Sequence, residues 1–338
     1  MKLLYIGNKL SKHGFNPTGI EYTGKLLEQF ACVYYASDKL NKVVRLFDIL
    51  FSVIKYARVV DYIIIDTYST SNFIYAKLVG FIATFLGVDY IPVLRGGNLP
   101  ALLQTNKADV FNFFRNAYCN VAPSNYLKSV FDKYNFKTDL IPNSIPLDAY
   151  SFKNRNQFKA NLLYVRALAD LYNPTMAIEV LYKLVSKGFD ASLIMIGADV
   201  NGNMEKCKTL ANKYNISNRV EFTGKLSKAQ WHKKSTEADF LINTTNFDNT
   251  PISVIEAMAL GLVVVSTNVG GMPFLIDDNL NGLLVPAEDE VQMSNAIEYL
   301  LNNNCVAHAL VMQARKDVLQ YDVNMVTTGW QRLLGYNK

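Results

Sequence analysis

The sequence predicts an α/β protein of two doubly wound, parallel-sheet domains, and three observations carry that reading. Short β-branched or aromatic runs alternate with longer helical stretches along the whole chain. The strand runs are continuously apolar, as strands covered by helices on both faces of a parallel sheet are. At 338 residues the chain is too long for one ordinary core and suits about two domains.

Strands are expected at residues 2–6, 33–36, 62–66, 90–94, 120–122 and 139–141, then at 162–165, 192–196, 220–222, 240–243, 262–267 and 282–285. Between the sixth and seventh lies Ile141-Pro142-Asn143-Ser144-Ile145-Pro146, rich in turn formers, followed by a polar stretch over 153–159. The boundary is placed there, giving an N-terminal Rossmann-like domain over 1–150 and a C-terminal one over 151–338. The helical segment 306–334 is expected to pack back on the first. Ligands of open α/β sheets bind beyond the carboxyl ends of the strands, so the gap between two facing sheets is the expected site.

Composition excludes several classes. The apolar start, Leu3-Leu4-Tyr5-Ile6, runs straight into Gly7 and reads as a buried strand rather than a signal peptide. The longest uncharged apolar stretch, 78–88, is too short to span a bilayer. Cys32, Cys119, Cys207 and Cys305 have neither zinc-site nor paired spacing, which fits a reducing cytoplasm. His13, His232 and His308 suggest no triad or metal cluster, and glycine loops of triphosphatases and dinucleotide oxidoreductases are absent. Motifs for RNA are missing too, so no nucleic-acid partner is expected. Residues 1–150 hold 16 Lys and Arg against 11 Asp and Glu, whereas residues 151–338 balance at 18 each. That asymmetry points to an anionic partner for the first half, a phosphorylated substrate or an acidic membrane surface, with chance as the bland alternative.

The chemistry is concentrated between Ala238 and Pro286. A strand ending at Asn243 leads through the loop Thr244-Thr245-Asn246-Phe247-Asp248-Asn249-Thr250 into Pro251-Ile252-Ser253-Val254-Ile255-Glu256. Thr250 is the expected N-cap and Pro251 the first helical residue, with Gly261 ending the helix. The amides near Ile252 and Ser253 would then meet a diphosphate at the positive end of the helix dipole. Glu256, set among Val254, Ile255, Ala257 and Met258, is a carboxylate in need of a partner, and a ribose diol would supply one.

This stretch, with Ala257-Met258-Ala259-Leu260-Gly261, Val265-Ser266-Thr267-Asn268-Val269-Gly270-Gly271 and Asn281-Gly282-Leu283-Leu284-Val285-Pro286, resembles the C-terminal signature of family 4 retaining glycosyltransferases of the GT-B fold. The resemblance implies two Rossmann-like domains facing a central cleft and transfer of a sugar from a nucleotide-diphosphate donor to a glycan or lipid-linked hydroxyl, in polysaccharide or glycoconjugate synthesis. It implies no metal and no cofactor, a UDP-sugar being the default donor. Glu256 would bind the nucleotide ribose, and Asp248, where the family has Glu, would face the donor sugar. Gly19 in Pro17-Thr18-Gly19-Ile20-Glu21, Gly197, and Gly224-Lys225 of Phe222-Thr223-Gly224-Lys225 would line the donor site with Asn249, Thr250, Ile252 and Ser253. Ala122-Pro123-Ser124-Asn125 and Ile141-Pro142-Asn143-Ser144-Ile145 resemble the segments closing the N-terminal domain, with Arg95, Asn98 and Asn143 on the acceptor side. Where the family has an Arg and a Lys clamping the diphosphate, this chain has Arg166, displaced by one position, and Tyr172; where it often has a His, this chain has Arg95.

Several readings stay open at this level. Arg166 fits a structural ion pair as well as a phosphate contact, and Arg95 and Asn98 would also suit a glycine loop. In 39–58, Lys42, Arg45, Asp48, Ser52 and Lys55 form a polar stripe between apolar residues. Such a helix covers a sheet or lies on an anionic bilayer, the latter making the chain peripheral on the inner membrane face. Phe111, Phe113, Phe114 and Arg115 would be an acceptor-side patch or core. An epimerase of the same fold and a non-catalytic nucleotide-sugar-binding subunit are the alternative functions.

Overall fold

The computed structural model describes residues 1–15, 17–70 and 72–336. The chain divides into two units, Met1–Ser144 with the segment from Tyr321 onward, and Ile145–Gln320. The break falls between Ser144 and Ile145, inside the turn-rich segment and ahead of residue 150.

The first unit holds a parallel sheet of β1 (Lys2–Ile6), β2 (Cys32–Ala36), β3 (Tyr62–Thr67), β4 (Asp89–Leu94), β5 (Asn120–Ala122) and β6 (Thr138–Leu140), ordered β2-β1-β3-β4-β5-β6. Its helices are α1 (Gly19–Leu27), α2 (Lys42–Tyr56), α3 (Phe73–Leu86), α4 (Leu99–Gln104), α5 (Ala108–Arg115) and α6 (Asn125–Asp132). The second unit holds β7 (Asn161–Val165), β8 (Ser192–Ile196), β9 (Val220–Gly224), β10 (Phe240–Asn243), β11 (Val263–Thr267) and β12 (Leu283–Val285), also parallel, ordered β12-β11-β10-β7-β8-β9. It carries α7 (Pro174–Ser186), α8 (Asn203–Lys213), α9 (Lys228–Lys234), α10 (Ile252–Ala259), α11 (Glu290–Asn302) and α12 (Asn304–Asp317), and α13 (Val323–Leu333) follows in the first unit. All twelve expected strands form, with ends displaced by no more than two residues. Continuous apolar runs such as Ile63-Ile64-Ile65 are fully buried, because helices cover both faces.

In strand order the second sheet reverses between β7 and β10, and the first between β1 and β3. These switch points open crevices at the carboxyl edges, where loops diverge to opposite faces of the sheet. In the first unit, Ile49, Val53, Val79, Phe113, Phe114 and Phe131 pack on one face, whereas Leu3, Tyr5, Ile20, Val326 and Trp330 fill the other, with α13 beside α1. Phe113 and Phe114 are therefore core and not an acceptor-side patch.

α2 covers the first sheet, one of the two readings, but with an unexpected part of its surface turned inward. The middle of its polar stripe turns inward, with Arg45 and Ser52 buried and Asp48 accepting a bond from the Ser37 hydroxyl at 2.5 Å, while Lys42 and Lys55 at its ends stay exposed. Its outward side is apolar. Ile49 and Val53, with the partly buried Leu46, Leu50 and Tyr56, seat the helix on the core, while Val43, Val44, Phe47, Phe51 and Ile54 stay in solvent.

Candidate functional site

The carboxyl edge of the second sheet gathers most of the expected residues. β7 ends at Val165 and β10 at Asn243, so the switch point lies between Arg166 and the loop 244–250. Arg166 forms an ion pair with Asp248, and its guanidinium sits 4.7 Å from the centroid of the Tyr172 ring. Both partners are largely buried, with side-chain exposures of 23% and 14%. Burial pulls the Arg166 pKa below its ordinary value, although the Tyr172 and Tyr164 hydroxyls act the other way. Its Nε is buried without a hydrogen-bond partner.

Two glycines hold the Asp248 loop in place. The Gly271 amide donates to the Asp248 carbonyl at 2.8 Å, and Gly270 takes a φ of +54°. A Cβ on Gly270 would run into the Asp248 carbonyl oxygen, and one on Gly271 into that of Asn249. Only a chain without side chains lets the turn after β11 approach so closely. Gly197 acts similarly at the end of β8, because a Cβ there would meet the Arg166 carbonyl. Its amide donates to the Gly224 carbonyl at 3.0 Å, drawing together the ends of β8 and β9; Lys225 beyond is exposed.

α10 begins at Ile252, one residue later than expected. Pro251, with ψ of 118°, is the capping residue and keeps the backbone extended there, so Thr250 does not cap. The Thr250 Oγ1 is buried with no partner, and so is Asn246 Oδ1 in the same loop. The first amides of the helix, at Ile252 and Ser253, lack intrahelical acceptors by helix geometry and carry the positive end of the dipole.

Glu256 is 3% exposed on this helix. Its partners come from the protein: the Tyr150 hydroxyl donates to Oε1 at 2.6 Å and the Lys228 ammonium to the same oxygen at 2.7 Å. Lys228 opens α9 and is half exposed. His232, one turn further, packs tilted against Tyr150 with ring centroids 4.6 Å apart; burial lowers its pKa, Glu256 opposes that shift, and its Nε2 is buried without a partner.

Gly19, Arg95, Asn98 and Asn143 lie in the first unit. Three of them meet at the β1/β3 switch point around Asp66, which is fully buried. Asp66 accepts from Arg95 Nε at 2.9 Å, from the Tyr5 hydroxyl at 3.0 Å and from the Ile20 amide at 2.9 Å. Arg95 also donates to Asn143 Oδ1 at 2.5 Å and to the Thr23 hydroxyl at 2.8 Å. Burial pulls the Arg95 pKa down, but Tyr5 and Asp66 overcome it and the net shift is upward. The amide end of α1, read from the sequence as a phosphate contact, is thus held by Asp66, and Gly19 packs against the guanidinium of Arg95. Asn98 stands apart and exposed before α4, making no side-chain cap.

Sequence reasoning missed Asp66, Tyr150, Lys228 and Arg155. An acid closing the run Ile63-Ile64-Ile65 was a legible signal for Asp66. Tyr150 and Lys228 come from segments 106 and 28 residues from Glu256 and carry no local signal. Arg155 is a structural clamp: its guanidinium binds Asp239 Oδ1 at 2.9 Å and the carbonyls of Ala238 at 2.7 Å and Gly261 at 2.5 Å.

The family of glycosyl transferases group 1 matches residues 149–317, half of the chain and nearly all of the second unit. The chain belongs to this family. Among curated relatives, the D-inositol 3-phosphate glycosyltransferase of Mycobacterium marinum is 24% identical over 184 residues, covering 52% of this chain and 40% of that protein. The GalNAc-alpha-(1->4)-GalNAc-alpha-(1->3)-diNAcBac-PP-undecaprenol alpha-1,4-N-acetyl-D-galactosaminyltransferase of Campylobacter jejuni is 25% identical over 191 residues, covering 55% and 51%. The chain thus spans between two fifths and half of these relatives' lengths. Of solved structures, Anabaena HepE in complex with UDP aligns over 100% of both chains with a TM-score of 0.81 at 17% identity. The sucrose-phosphate synthase of Thermosynechococcus elongatus aligns over 98% of both with a TM-score of 0.75 at 16% identity. These likenesses are in fold, and they place the two parallel sheets among GT-B proteins. Among the described residues, no helix is long and apolar enough to cross a membrane.

Proposed function

We propose that the chain is a retaining glycosyltransferase that moves a sugar from a nucleoside diphosphate sugar to a hydroxyl of a glycan or lipid-linked acceptor. The observation that carries this reading is the edge of the second sheet. There an Arg–Asp pair and unpartnered polar atoms of the loop 244–250 lie just before the N-terminus of α10, the helix that carries the buried Glu256. Membership of the group 1 family and the names of the relatives support the activity.

The diphosphate lies against the Ile252 and Ser253 amides, whose dipole and donors are already oriented when negative charge develops on the leaving group. Arg166 offers the phosphates its free Nε, and Asp248 faces the sugar. Glu256 takes the ribose hydroxyls, with half-exposed Lys228 moving aside and Tyr150 keeping the carboxylate in position. The bond from the anomeric carbon to the leaving phosphate oxygen breaks, the acceptor oxygen attaches from the same face, and the acceptor proton passes to the phosphate. Positioning of the two substrates supplies the rest of the rate. UDP-glucose is the first donor to try, since a protein of the same fold, Anabaena HepE, has been solved in complex with it.

The test is sugar transfer by the purified chain with an acceptor panel, donors first ranked by the rise in melting temperature. Glu256→Ala is expected to lower kcat/KM by about 100-fold or more while circular dichroism stays native. Transfer at the wild-type rate by that variant would refute the assignment, and conversion of the donor sugar without an acceptor would mark an epimerase.

A further inference from the structure

The first unit exposes apolar side chains on two adjacent helices. On α2 these are Val43, Val44, Phe47, Phe51 and Ile54, with Phe47 67% and Phe51 66% exposed. On α3 they are Ile74, Leu78, Phe81 and Phe85, the phenylalanines 73% and 81% exposed. The α3 residues recur at helical spacing along one stripe. Both helices cover the same face of the first sheet and pack on each other, so their outward sides lie next to one another. Four phenylalanines at that exposure contribute on the order of 500 Å². With the aliphatic residues added, the patch exceeds the few hundred Å² usual for a monomeric surface. A cavity of about 680 Å³ opens beside it, walled by Leu78, Phe81, Phe85 and Phe113.

The charges around this patch decide what covers it. Lys42, Lys55 and Arg58 are exposed at its border. Neither helix exposes an acid: Asp48 is tied to Ser37, and α3 contains no acidic residue. Lys77 on α3 pairs with Asp109 of α5. A second copy docked on the same face would bring no exposed acid of α2 or α3 to meet these cations. An anionic bilayer instead offers acyl chains to the phenylalanines and headgroup charge to the border, as basic amphipathic helices use it. The excess of Lys and Arg over Asp and Glu also lies in this half of the sequence.

We infer that the joined outward faces of α2 and α3 are a docking surface for an anionic lipid bilayer, with Phe47, Phe51, Phe81 and Phe85 entering the acyl boundary and Lys42, Lys55 and Arg58 meeting headgroups. This holds whether or not the chain transfers a sugar, because none of these residues belongs to the second unit.

The test is flotation of the full chain with vesicles of phosphatidylcholine alone or mixed with phosphatidylglycerol. The wild type is expected to float with the mixed vesicles, less so at high salt. Phe47→Ser/Phe51→Ser/Phe81→Ser/Phe85→Ser should float roughly tenfold less or lower still, with an unchanged melting temperature because these side chains are already in solvent. Lys42→Gln/Lys55→Gln/Arg58→Gln should lose the preference for phosphatidylglycerol while keeping its fold. Equal flotation of the phenylalanine variant overturns the inference. So does a wild type that ignores vesicles but sediments as a dimer, with the same variant monomeric, since the face would then join two copies.

Discussion

The two sheets of this protein each set an Arg–Asp pair at the topological switch point, and they complete it in opposite ways. In the first unit, Asp66 and Arg95 are closed in by Tyr5, Thr23, Asn143 and the Ile20 amide, so nearly every donor and acceptor has a partner inside the unit. In the second, Arg166 and Asp248 sit beside Arg166 Nε, Asn246 Oδ1 and Thr250 Oγ1, all buried and unpartnered. Buried polar atoms without partners are costly, and proteins keep few of them. The contrast teaches that the same edge of the same architecture closes its Arg–Asp pair in one unit, where Asn8 Oδ1 beyond β1 is left buried without a partner, and leaves three unpartnered atoms around the pair in the other.

The comparison breaks most visibly at Asp66. Asp66→Ala strands the Arg95 guanidinium and is expected to cost about 3–5 kcal/mol in urea unfolding, as removal of one partner of a buried pair does. A loss under about 1 kcal/mol would mean that the first edge is not structural. Gly271→Ala sharpens the other side. The added methyl meets the Asn249 carbonyl and must push the Asp248 loop outward, costing about 1–3 kcal/mol. Donor affinity by calorimetry should fall with it; full affinity would separate the loop from the ligand.

How far the sequence speaks for itself follows the same division. Every strand was legible, because a parallel sheet covered on both faces leaves an uninterrupted apolar run bounded by turns. The segment from Asp248 to Glu256 was legible too, since strand, loop and helix are contiguous there. What escaped were partners that the fold brings from afar, such as Tyr150 and Lys228 on Glu256, Arg155 on Asp239 and Asp66 on Arg95. The orientation of α2 also escaped: a period of 3.6 identifies two faces of a helix, but only packing decides which one turns inward. Thr250 failed as a cap because the extended backbone at Pro251 delays the first helical turn.

The smallest expected effect is a pH dependence at His232. Burial holds its folded-state pKa below the ordinary 6.5, so the unfolded chain takes up a proton first as pH falls. Its contribution to stability is complete above pH 6.5 and is lost as pH drops from there towards the depressed value. His232→Gln should flatten that decline by roughly 1 kcal/mol or less between neutral and mildly acidic pH, read from urea midpoints. An unaltered slope would place the titration elsewhere.

Thr250→Val tests the open edge most directly, through its stability and its affinity for UDP measured on one preparation. A hydroxyl waiting for a ligand is a burden on the free protein, so the variant should be as stable as wild type or about 1 kcal/mol more so, yet bind UDP roughly tenfold more weakly. Lower stability with undiminished binding would contradict the account, because the hydroxyl would then serve the fold rather than the donor.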